Sequence, residues 1–183
     1  MSKGLRTAAF PADVARARLT QASLPVEIRP PWGAYLVERA PEGLRLTVEA
    51  PTLARLFIDA ARAMSDQLGE PRDDNDQAPA RVASEGRQLS VVAASADQLL
   101  AAWLGELLHS ARETRRLFGT INVRRINPGH LRAELRGERD TRWRIDPSSV
   151  TVADARVATS ADPLAKRFVA RVRLAPLRPP GRS

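Results

Sequence analysis

Between Ser95 and Phe118 the chain reads SADQLLAAWLGELLHSARETRRLF, and this stretch limits the fold more than any other. Leu99, Leu100, Trp103, Leu104, Leu107, Leu108 and Ala111 recur with the one-sided spacing of an amphipathic helix. Ser95 followed by Gln98 is a capping-box pattern, in which the hydroxyl accepts from the Gln98 N–H and the amide reaches back. Asp97 lies in the first turn and Arg112, Arg115 and Arg116 crowd the last, the arrangement the helix dipole favours. Gly119 is read as the stop. A stripe this wide needs a sheet to cover it, so the helix is expected in the core. His109, opposite Leu100 and Leu104 by helical phase, is expected in water.

Two other parts of the chain frame this helix. Thr52 is the expected N-cap of an earlier one, with Leu53, Leu56, Phe57, Ala60, Ala61, Met64 and Leu68 as its stripe and Gly69-Glu70-Pro71 as its end. Strands are expected at 35–37 and 44–48, with Pro41-Glu42-Gly43 turning between them, then at 80–84 and 88–93. A hairpin follows, 121–126 and 130–135 around Asn127-Pro128-Gly129, then strands at 141–145, 150–157 and 167–174. The polar loop 73–80 lacks the Gly and distal Glu of a calcium-binding EF-hand loop and reads as solvated. The order predicts an α+β fold, a two-layer sandwich of two helices packed on a mostly antiparallel sheet.

The 183 residues suffice for one domain with a real core. A Pro/Arg-rich N-terminal arm is expected over 1–31, the domain over 32–177 and a disordered tail over 178–183. The absence of cysteine excludes disulfides and thiolate metal sites. No apolar run approaches the roughly 18 residues of a membrane span, and the arm lacks a signal-peptide apolar stretch, so a cytoplasmic protein is expected. Net charge is +8, but the only lysines are Lys3 and Lys166. Arg enrichment of this kind follows from GC-rich coding as readily as from an anionic partner, and aromatics at 4% leave few stacking platforms for bases.

DQLLAAWLGELL, an acidic-Leu-Leu run followed by Trp, Leu, Glu, Leu and Leu, resembles the signature of the archease family, and LFIDAARAM in the earlier helix is similar to that family's Leu-Phe-x-x-Ala-Ala-Arg-Ala helix. Archeases are small proteins that assist the guanylate-dependent RNA-splicing ligase. The resemblance covers roughly 32–177 and implies the archease fold, a strand-helix-strand-strand module with an insertion. It also implies a divalent metal such as calcium, held by the Asp of a His-Thr-Ala-Asp-x-Gly stretch. The matching stretch here is Glu38-Arg39-Ala40-Pro41-Glu42-Gly43, with Pro41 at the Asp position. A second family landmark, an Arg-Gly-Glu turn before a strand bearing Lys and His, keeps Arg136-Gly137-Glu138 but not the Lys or His of Val150–Val157. A third, an acid ending the last strand, falls near Ala175.

The expected member is therefore a non-enzymatic accessory protein whose metal is lost, with Glu42 and Asp140 as weak metal candidates and no catalytic or cofactor-binding residues. His109 and His130 have no partner at metal-ligand spacing, and no Ser/His/Asp set or Gly-rich phosphate loop appears. Asp140 and Asp146 flank Trp143 and read as loop and cap residues. Arg124, Arg125, Arg132, Arg136, Arg142 and Arg144 can gather on one sheet face by period-two spacing. They read either as a solvated face or as a surface for phosphates or an acidic protein. The readings of function are thus an RNA-splicing ligase's accessory, a nucleic-acid-binding module, or a scaffold with a new protein partner. The number of copies is left open.

Overall fold

The structure is a computed structural model that describes residues 24–31, 33–71, 86–160 and 167–177, leaving aside the side chains of residues 71 and 137–140. Antiparallel strands β1 (Val26–Ile28), β2 (Tyr35–Ala40), β3 (Gly43–Ala50), β9 (Phe168–Pro176) and β8 (Val150–Thr159) form one five-stranded sheet in the order β1-β2-β3-β9-β8. The second sheet is built on the long β7 (His130–Trp143), which pairs with β4 (Gly69–Pro71), β5 (Arg87–Val92) and β6 (Arg116–Asn127). Helices α1 (Leu53–Leu68) and α2 (Ala96–Thr114) carry the apolar stripes. Helix α1 touches β3 and β9 of the first sheet and β6 of the second, while α2 touches β8, β5 and β6. The α+β class holds, with the strands divided between two sheets. The expected strand 80–84 and the loop 73–80 lie outside the described residues.

Alternation explains the strands. In β3, Leu44, Leu46, Val48 and Ala50 are buried while Arg45 and Glu49 face water. Thr52 and Ser95 cap the helices as expected, and Gln98 Oε1 reaches back past the Ser95 cap to accept from the Ala94 N–H at 3.2 Å. Trp103 is fully buried, and its indole N–H donates to the Phe57 carbonyl at 3.2 Å, joining α2 to α1. His109 is exposed beside Glu113. No helix of the described residues is long and apolar enough to cross a membrane.

Four expectations change. Helix α2 ends at Thr114, before Gly119, because Arg115 takes the left-handed cap conformation with φ 56° and ψ 30°. That conformation is unfavourable for a side-chain-bearing residue, and tertiary contacts hold it. The Arg115 guanidinium pairs with Asp146 at 2.9 Å and lies over the Trp143 ring at 5.2 Å. Gly119 then falls inside β6. Arg136-Gly137-Glu138 is not a turn: β6 pairs continuously alongside it, with Thr120 opposite Arg136 and Phe118 opposite Glu138, so the two expected strands are one. Gly69–Pro71 follows α1 directly as a strand paired to Trp143–Thr141. Val26–Ile28, placed in the arm, pairs with Val37–Tyr35 and belongs to the sheet.

Candidate functional site

Two places gather the residues singled out by the sequence. The first is one end of the five-stranded sheet. Leu44 pairs with Leu174, so the hairpin turn at Pro41-Glu42 lies beside Ala175, and Thr151 of β8 pairs with Ala175 from the other side. Gly43 is needed there: its φ is +133°, and a Cβ would strike the Leu174 carbonyl oxygen. The landmark positions of the resemblance, 41, 175 and the start of the 150–157 strand, therefore converge. Their side chains offer a cation little: Pro41 and Ala175 carry no donor, and the exposed Glu42 carboxylate pairs with Arg45. Among the described residues, no three His, Asp or Glu side chains come together as a metal cluster. Arg39, Leu44, Leu68, Ile145, Val150 and Leu174 instead wall a recess of about 200 Å³. Asp140 stands in β7 opposite Arg116, and its side chain is outside those described.

The second place is the outer face of the second sheet. Leu131, Ala133 and Leu135 of β7 point into the core, so His130, Arg132, Glu134 and Arg136 point out. On β6 the register slips between Val123 and Arg125, leaving Arg124 as an extra residue. A bulge of this kind sets two residues against one on the partner strand. Arg124 thereby reaches Glu134, donating from Nε at 3.2 Å, and Arg136 donates to the other carboxylate oxygen at 2.6 Å. These two bonds hold the Glu134 carboxyl below its ordinary range. Arg125 lands directly opposite Arg132. Ser90 of β5 is Arg132's partner on the other side, and its hydroxyl lies 3.1 Å from His130 Nε2.

Four of the six arginines thus share one surface. Arg142 and Arg144 sit at the far end of β7, where Arg144 pairs with Glu70 and donates to the Asp66 carbonyl at 3.2 Å.

Sequence reasoning passed over Asp59. Its carboxylate is buried in α1, bonded to Arg55 Nε at 2.7 Å, and its Oδ1 has no hydrogen-bond partner. Burial raises its pKa against the pull of Arg55 and Arg62. The signal was present as arginines at i−4 and i+3 around an acid on an otherwise apolar stripe. Close by, Tyr35 is buried with its hydroxyl accepting from Gln67 Nε2 at 3.1 Å, and burial pushes its pKa up to about 12.

A search of curated proteins finds no match to this chain. The model of the Archease protein family does match, over residues 44–170, a span that runs from β3 through both helices and the long β6–β7 hairpin into β9. With both signature helices buried where the two sheets meet, and the landmark positions brought to one sheet end, the chain belongs to the archease family.

Proposed function

We propose that this protein is a non-catalytic accessory protein of an RNA-processing enzyme in the cytoplasm, with an RNA-splicing ligase as its partner. The observation that carries the reading is the family match over residues 44–170. The convergence of positions 41, 151 and 175 at one sheet end supports it, since it leaves the family's working corner in place as a shape. Its chemistry has changed, because Pro41 and Ala175 stand where the resemblance expects acids. Docking is therefore expected to survive while metal-dependent stimulation does not, and no step is routed through a metal.

The test is to add the purified protein to a guanylate-dependent RNA-splicing ligase and to read both association and the rate of ligase guanylylation. Association with little acceleration is the expected outcome. Strong acceleration would show that the altered corner still works. No association would remove the ligase as partner.

A further inference from the structure

Arg39 breaks the alternation that orders the first sheet. Tyr35 and Val37 of β2 point toward the helices and are buried, so Arg39, two residues farther along, stands on the same face. Its ladder partner is the buried Leu44, which pairs in turn with the buried Leu174. The other arginines in the strands of this sheet, Arg45, Arg156, Arg171 and Arg173, fall on the opposite face. A polar side chain at a core-facing position is costly unless it is hydrogen-bonded. Arg39 meets that need through Gln67 of α1, whose Oε1 accepts from Arg39 Nη2 at 3.5 Å. Gln67 is itself only 4% exposed, and its Nε2 donates to the Tyr35 hydroxyl at 3.1 Å. A buried amide thus steers the guanidinium to the open end of the layer between β2 and α1. Departures of this kind from local rules gather at functional sites.

That end is the recess at the altered corner. Its walls besides Arg39 are apolar, among them Ala40, Leu44, Leu68, Ile145, Val150 and Leu174. At about 200 Å³ it is larger than the roughly 150 Å³ of an apolar cavity that accepts benzene, and smaller than the roughly 300 Å³ at which small-molecule pockets begin. The size suits one side chain of a larger partner. We propose that the recess docks a partner protein that presents an apolar side chain with a carboxylate beside it. The side chain fills the recess and the carboxylate pairs with Arg39. A guanidinium fork matches a carboxylate with two parallel bonds, and an apolar wall beside it keeps water from competing. Where the resemblance expects a bound metal, the corner offers a cation built into the chain. The inference deepens the ligase reading at the same corner and rests on it only for the partner's identity.

The chemistry is tested without the ligase. N-acetyl-leucine, N-acetyl-leucine amide and N-acetylglycine are titrated into the full chain and followed by NMR chemical shifts. N-acetyl-leucine should bind at least about tenfold more tightly than its amide, the factor expected for one hydrogen bond to a charged group. N-acetylglycine, which leaves the recess empty, should not bind. Arg39→Gln should erase the preference for acid over amide, Val150→Phe should weaken both by filling the recess, and Arg171→Gln on the outer face should change neither. Thermal melts show which variants are folded, and the Arg39→Gln result decides if Val150→Phe is not. Equal binding of acid and amide to the unaltered chain overturns the proposal, as does no binding of either. In the ligase association assay, Arg39→Gln should weaken the complex at least about tenfold. Undiminished association would overturn this docking point and leave the ligase reading standing. Acid-selective binding of the probe without ligase association would remove the ligase and leave the recess assigned to another partner.

Discussion

At the scale of single residues, Trp103 and His109 make the sharpest contrast. Both lie on α2, but Trp103 is fully buried with its indole N–H committed to Phe57, whereas His109 faces water. Trp103→Ala should cost about 3–5 kcal/mol in a urea titration, and His109→Ala should stay within about 0.5 kcal/mol. Equal effects would mean that the helix is phased differently. Asp59 and Asp66 supply a pH test. Burial raises both carboxyls, with the Arg55 bond opposing it at Asp59 and the Tyr35 hydroxyl opposing it at Asp66. A carboxyl with a raised folded pKa holds its proton more tightly in the folded chain. Its contribution to stability is thus complete below the unfolded pKa and is lost as pH rises through the folded one. Relative to the unaltered chain, the double variant Asp59→Asn, Asp66→Asn should therefore gain stability as pH rises above the ordinary carboxylate range of about 3.9. Urea midpoints at several pH values read the difference, and an opposite trend would mean that the arginines outweigh burial.

At the scale of elements, two glycines separate strain from propensity. Gly43 closes the β2–β3 hairpin at positive φ against the Leu174 backbone, so Gly43→Ala should cost about 2 kcal/mol or more. Gly105 lies mid-helix in α2, where an added Cβ would meet nothing within 4 Å, so Gly105→Ala should stabilise by about 0.5–1 kcal/mol. Thermal or urea melts of the two variants should move in opposite directions. The helices were legible in the sequence because their caps and stripes are local: Thr52, Ser95 and the Leu-rich faces act within a few residues. The ends were not. Gly119 is the better intrinsic stop, but Arg115 is held in the left-handed region by Asp146 and Trp143, which are distant in sequence. Arg136-Gly137-Glu138 has turn composition, yet the partner strand beside it keeps it extended. Period-two spacing sets Arg132 and Arg136 on one face of β7, but no local signal marks where a bulge enters, so the Arg125–Arg132 opposition was invisible.

At the scale of the whole molecule, the corner that unites positions 41, 151 and 175 should make stability indifferent to divalent metal. Thermal melts with EDTA and with millimolar calcium or magnesium should coincide, since Glu42 is paired to Arg45 and the neighbouring positions carry no acid. A saturable rise of several degrees would reveal a site linked to folding. The edges of the first sheet are treated unequally. Helix α2 runs along β8, where Asp97 accepts the Val157 N–H at 2.7 Å and Arg112 donates to the Val150 carbonyl at 2.5 Å, hindering further strands at that edge. The strand order carries one more consequence. β9 is the last strand described in the chain, yet it stands between β3 and β8, with every one of its ladder partners made earlier. During synthesis the sheet must wait in two unjoined parts, β1-β2-β3 and β8, until residues 168–176 leave the ribosome. Premature termination before Phe168 would remove the strand that joins β3 to β8 and leave both with an open edge, and so a nascent chain of this protein is exposed to aggregation until residues 168–176 are available to pair.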